Sequence, residues 1–167
     1  MADLKFSGFD PEAVVATTEI VGYKTGTTSN TRYSITQLAD GLKVHGGLRE
    51  SFIIACSDET TALTTGTKAT FRMPYAFTVT AVRASLTTAG TTSGLTTIDI
   101  NLGGSSIFTT NLLTIDFGDT TSVGATTAPN ITTTALTNDG QMTIDVDGLS
   151  GGATEAGLKV TIIGYQS

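Results

Sequence analysis

Few residues in this chain could do chemistry, and most of those are acidic. Asp99, Asp116 and Asp145 each sit inside a recurring pattern, Thr97-Ile98-Asp99-Ile100, Thr114-Ile115-Asp116-Phe117 and Thr143-Ile144-Asp145-Val146, with Asp147 just beyond the last copy. Carboxylates gathered in this way would offer oxygen ligands to Ca²⁺. None of them lies in a dense Asp-x-Asp-x-Asp-Gly loop with a distal Glu, so they are expected to be solvent-face charges that discourage edge-to-edge association of sheets. Strict alternation predicts that both apolar residues of each copy face the core while the Asp faces outward beside Thr. The unequal spacing of the copies marks strand chemistry and not a solenoid.

His45, the single histidine, lies beside Gly46-Gly47 with no nearby Ser, Cys or carboxylate, so a general acid or base role is not expected. Cys56, the single cysteine, cannot form an intrachain disulfide, and its place at the end of the apolar run Phe52 to Cys56 predicts a packed small hydrophobe. The Thr-rich turn Thr87 to Thr97 holds Gly90 and Gly94, but no helix pattern follows to aim an N-terminus at a phosphate. Phosphate loops, nucleophile elbows and paired metal-ligand motifs do not occur. Asn130-Ile131-Thr132 matches a glycosylation acceptor without any secretory pattern to support it. No catalytic, cofactor-binding or metal-ligating residue is assigned, no cofactor is expected, and the chain reads as non-enzymatic. In Arg72-Met73-Pro74-Tyr75, Pro74 cannot donate to a sheet ladder; this stretch is expected to form a corner between strands at which Tyr75 packs against another subunit.

The elements that must carry these residues are β-strands. About one residue in five is Thr and Gly is abundant, while charged residues make up 14% and Trp is absent; Thr suits a pleated surface and Gly suits tight turns. From Ser51 onward, short alternating runs separated by turn signals predict strands at Phe52–Cys56, Gly66–Met73, Phe77–Leu86, Leu95–Leu102, Ser106–Thr110, Leu112–Phe117, Gln141–Val146 and Gly157–Tyr165. Eight strands suit a jelly-roll-like antiparallel β-sandwich. Turns are marked by Gly103-Gly104, Asn138-Asp139-Gly140, and Gly148 followed by Gly151-Gly152. In the third run the apolar phase slips near Ala81, which predicts a bulge that lets the strand bend from one sheet into the other.

Residues 1–50 follow a different pattern and read as a separate attachment segment, with the sandwich occupying 51–167. A hairpin is expected from Glu19–Tyr23 to Arg32–Ile35, closed by a loop containing Gly26. One helical turn follows, with Thr36 as N-cap and Gly41 as the stop, and then a linker from Gly41 to Arg49. So small a piece rarely folds without a partner. The formal net charge of −6 argues against nucleic acid or an anionic membrane as partner. After Arg83 the only base is Lys159, set against Asp99, Asp116, Asp119, Asp139, Asp145, Asp147 and Glu155, so an acidic surface is expected on the C-terminal part. No apolar run approaches a membrane helix and no secretion signal is evident, so a soluble protein made in a cytoplasm is expected.

The segment Phe71-Arg72-Met73-Pro74-Tyr75-Ala76-Phe77 continuing to Leu86, with Asp99-Ile100-Asn101, Gly157-Leu158-Lys159-Val160 and Ile163-Gly164, resembles a C-terminal β-sandwich domain of bacteriophage and prophage structural proteins. The resemblance covers about Ser51 to Tyr165, and the Arg-Met-Pro-Tyr stretch is its most specific part. Glu19-Ile20-Val21-Gly22-Tyr23 followed by Ser34-Ile35-Thr36-Gln37-Leu38 is similar to short N-terminal segments that attach fibre and appendage proteins of tailed phages. The resemblance implies a virion protein, a tail-fibre or surface appendage component, assembled in the host cytoplasm as a homotrimer and contacting other virion proteins. A capsid decoration protein is the alternative. A carbohydrate-binding module acting on host surface glycans is a third, weakened by dispersed tyrosines (Tyr23, Tyr33, Tyr75, Tyr165) that form no evident platform.

Overall fold

The computed structural model describes residues 19–23, 30–44, 48–152 and 154–167. The chain divides into two compact units, 1–47 and 48–167.

In the first unit, β1 (Glu19–Tyr23) pairs antiparallel with β2 (Asn30–Ser34), and helix α1 (Ile35–Val44) follows directly. The expected single turn is in fact a ten-residue helix, and its cap is Ser34 instead of Thr36. Ser34 Oγ accepts from the Gln37 amide at 3.1 Å while Gln37 Oε1 accepts from the Ser34 amide at 2.9 Å, a reciprocal capping box. With its start anchored, the helix carries through Gly41, whose cost of about 1 kcal/mol relative to Ala is tolerated inside it. The expected linker therefore loses residues 41–44 to α1; residues 45–47, with His45 among them, lie outside the described residues, as does the Gly26 loop.

The second unit is an antiparallel β-sandwich. One sheet runs β3 (Glu50–Ala55), β11 (Lys159–Gln166), β5 (Phe77–Ser85), β9 (Ala135–Leu136). The other runs β4 (Gly66–Arg72), β10 (Gln141–Gly148), β6 (Leu95–Leu102), β7 (Ser105–Ser106), with β8 (Leu113–Asp116) also pairing β6. The pairs β3/β11, β4/β10, β5/β9 and β6/β8 nest one inside the next along the chain and alternate between sheets, which is jelly-roll order. The expected strand at Ser106–Thr110 shrinks to the two residues of β7, because the chain leaves the ladder once Ile107 and Phe108 turn into the core. β9 had no counterpart in the sequence pattern: two residues are too few to show a period.

Alternation explains the core. Ile98, Ile100, Leu113, Ile115, Ile144 and Val146 from one sheet face Phe77, Val79, Val82, Val160 and Ile162 from the other, all buried. Full burial of such a side chain stabilises by about 1.5–3 kcal/mol. Phe117 breaks the expected rule for the recurring motif: it is 53% exposed, because β8 ends at Asp116 and the chain turns at Gly118. Gly103-Gly104, both at positive φ, close β6 to β7 as a two-residue hairpin.

The phase slip near Ala81 is a bulge. Ile163 pairs Ala81 and Gly164 pairs Val79, leaving Thr80 as the extra residue. β5 nevertheless stays with β11 on both sides of it, so the bulge re-phases the strand without transferring it to the other sheet. Opposite the bulge the backbone of Thr78 and the ring of Phe77 press so close to Gly164 that any side chain there would collide with them.

Candidate functional site

Four places hold the side chains singled out by type. The first is the outer face of the β4–β10–β6 sheet, where Asp145 stands directly opposite Asp99 on the two central strands. Asn101 Nδ2 donates to Asp145 Oδ2 at 2.8 Å, Thr143 Oγ1 donates to the same oxygen at 3.1 Å, and Ser106 Oγ donates to Asp99 Oδ1 at 2.6 Å. These acids do not guard an edge, as expected from sequence; they sit mid-sheet, half-buried and held by hydroxyl and amide donors. Burial, with the Asp99 and Asp145 carboxylates nearby, pushes the Asp147 carboxyl above its ordinary value. Among the described residues no three His, Cys, Asp or Glu side chains come together as a metal site.

The second is a buried carboxylate. Glu155, counted above with the acidic surface, is fully buried at one end of the sandwich. The segment carrying it is pinned by its neighbours: the Leu63 amide donates to its carbonyl at 2.7 Å, and the amides of Thr87 and Gly151 bond Ala156 and Ser93. Ser150 Oγ and Thr96 Oγ1, both buried, donate to Glu155 Oε1, the latter at 3.2 Å, while Oε2 has no partner. Burial alone would raise this carboxyl; the hydrogen bonds from Ser150, its own amide and Thr96 outweigh it and hold the group below its usual value. Thr-Glu-Ala between glycines gives no periodic signal, so its burial could not be read from sequence.

The third is a groove of about 270 Å³ lined by Gly94, Leu95, Asp116, Phe117, Thr126 and Thr127. Its wall is the segment after β8, tied down where Asp116 Oδ2 accepts from the Thr126 amide at 3.0 Å and the Thr126 hydroxyl at 2.6 Å. Those bonds lower the Asp116 carboxyl below its ordinary value. Phe117 stands exposed at this groove, an aromatic face apart from the four dispersed tyrosines.

The fourth is the Pro74 corner. Tyr75 turns inward: its ring lies 5.8 Å from Phe52 and 6.4 Å from Phe77, and its hydroxyl donates to Glu50 Oε2. The ring expected to meet a second subunit is thus largely engaged within its own chain. The corner itself is held by Arg72, whose Nη1 donates to the Asp139 carbonyl at 2.8 Å.

The remaining residues have simple places. Cys56 is buried and its thiol is pushed up to about 11 by burial, an unreactive packed side chain. Asn130 is exposed and its Nδ2 donates to Thr110 Oγ1 at 3.2 Å. The turn after Leu86 packs on the Glu155 segment, with Thr92 N donating to Gly151 O at 3.0 Å. In the first unit, Leu38 and Leu42, one helical turn apart on α1, are 45% and 47% exposed. No family model, curated protein or solved structure matches the chain.

Proposed function

We propose that the protein is a non-enzymatic structural component of a tailed-phage virion, a tail-fibre or surface appendage part that attaches through its first unit and projects the β-sandwich. The observation that carries this reading is the Leu38/Leu42 stripe on α1. A hairpin and one ten-residue helix bury little, and covering the exposed half of each leucine against a neighbour would gain about 1 kcal/mol each. The sandwich supports the same reading by carrying its own core, built among the described residues from side chains between Phe52 and Ile162.

The test is incorporation. Epitope-tagged chain is expected on tails or surface appendages of particles assembled from the same genome, and Leu38→Glu with Leu42→Glu is expected to remove it from particles while the sandwich still folds. Label on DNA-filled heads that lack tails would move the assignment to capsid decoration. A chain with no affinity for particles would end the virion reading.

Host-surface glycan is a second reading, favoured by exposed Phe117 beside Asp116 and Thr126 in one groove, since sugars stack on aromatic faces and bond carboxylates and hydroxyls. Micromolar glycan binding lost in Phe117→Ala supports it; no binding on a broad array refutes it.

A further inference from the structure

Every open β-sheet has edges, and three of the edges in this sandwich are blunted. β4 carries a bulge at Lys68, where Ala69 pairs Ile144 but Thr67 pairs Asp145, and it displays Lys68 and Arg72. β7 and β9 are two residues long. Charges, bulges and shortness are the usual means by which edges resist pairing. β3 has none of them beyond the single charge of its first residue, Glu50, which is tied to the Tyr75 hydroxyl. It is six residues long, Glu50-Ser51-Phe52-Ile53-Ile54-Ala55, with no Lys, Pro or bulge, and among the described residues it pairs only with β11.

The direction of its backbone groups follows from one bond. The Cys56 amide donates to the Leu158 carbonyl at 2.8 Å, in register with the rest of the β3–β11 ladder. Alternation in an antiparallel pair then turns Ile54, Phe52 and Glu50 toward β11 and turns the N–H and C=O of Ser51, Ile53 and Ala55 to the free edge. Ile53, at the middle of this set, is 70% exposed, the most exposed large apolar side chain among the described residues.

We infer that β3 is a docking edge for a second copy of this chain, paired antiparallel about a two-fold axis through Ile53. In that register Ile53 meets Ile53 of the second copy and Ser51 meets Ala55, so all three outward residues form hydrogen-bonded pairs, each exchanging two N–H···O bonds. Shifting the register by two leaves one outward residue unpaired within β3. The strand is self-complementary in side chains as well: large meets large, small meets small, and no like charges face each other, since Glu50 falls opposite Cys56 and its carboxylate already accepts from Tyr75. The sheets of the two copies would become one continuous sheet, and the Ile53 side chains would be covered by one another and by Ala55. A contact of this kind closes on two copies; a fibre trimer built through the first unit would be joined by it into pairs of trimers. The contact is independent of the virion reading, which concerns α1.

The experiment compares the full chain with Ile53→Lys and Ile53→Val by light-scattering mass and by residue-resolved amide exchange. Wild type is expected at twice the mass of Ile53→Lys, with self-association weakened at least tenfold by the lysine and preserved by the valine. The amides of Ser51, Ile53 and Ala55 are expected to exchange slowly in the wild type and fast in Ile53→Lys, with the β11-facing amide of Ile54 protected in both as proof that the fold is intact. Equal masses for wild type and Ile53→Lys, or fast exchange at Ser51, Ile53 and Ala55 in wild type at high concentration, would overturn the proposal.

Discussion

Outside the sheet that holds β10 and β6, Asp145 faces Asp99 across the ladder, bracketed by Thr143 and Asn101. Outside the sheet that holds β11 and β3, the corresponding places go to Ile53, Thr161, Ile163 and Ala81, with Arg83 and Lys159 as the only charges on these strands' outer positions. The inner faces of β10, β6 and β11 are alike, rows of buried Ile and Val with Met142, and Phe52 and Ile54 of β3 pack partly buried against them. Period-two alternation thus settles the shared interior and leaves each exterior free to differ: one is acidic and bound up in its own hydrogen bonds, the other apolar at its edge with backbone groups to spare. The contrast teaches that sheet chemistry here is divided by side, with Asp99 and Asp145 paired on one outer face and Ile53 and Ile163 on the other.

The comparison stands or falls first on the shared interior. Ile144→Ala in β10 and Ile162→Ala in β11 should each lower unfolding free energy by about 2–5 kcal/mol, measured by denaturant titration. Combined, they should still give one transition; two separate transitions would mean the sheets do not share a core. Gly164→Ala tests the bulge that keeps the apolar side in phase, and should cost about 1–3 kcal/mol by forcing β5 away from β11. Thr80→Ala, at the exposed extra residue, should change little.

Two carboxylates sharpen the contrast by responding to pH in opposite directions. Glu155, lowered in the fold, stabilises fully above its unfolded value near about 4.3 and loses that contribution as pH falls through its lower folded value. Glu155→Gln should cost about 1–3 kcal/mol at neutral pH and flatten the acid limb of a stability-versus-pH curve. Asp147, raised in the fold, opposes folding while ionised; that penalty is full above its raised folded value, fades as pH falls through it, and is gone below the unfolded value near about 3.9. Asp147→Asn should therefore raise the melting temperature slightly at neutral pH and low salt. That gain should shrink as salt screens Asp99 and Asp145; an unchanged gain at high salt would show that the repulsion is not what sets it.

The sandwich was legible wherever a run was long enough to show its period. Leu95–Leu102 matches β6 residue for residue, and the phase slip in β5 located the bulge within one position. Jelly-roll order was expected from strand number alone and is observed in the pairing itself. The signal failed where elements are short or held by contacts distant in sequence. β9 has two residues, and the burial of Glu155 depends on Thr96 and Leu63 arriving from distant segments. The α1 boundary was readable in principle, since Ser34-Ile35-Thr36-Gln37 spells a capping box, but Thr36 also satisfies the preference for a hydroxyl at a helix start. Of the candidate surfaces, the exposed Phe117 was hidden because its motif copies place their last apolar residue inside.

Nesting β3 against β11 has a mechanical consequence. Glu50, where the sandwich begins, pairs with Gly164, close to where it ends, so the first and last strands meet at a common corner. A load pulling those two ends apart would open the ladder between them one rung at a time, as a zip opens, whereas a load applied across the sheets would have to shear many rungs together.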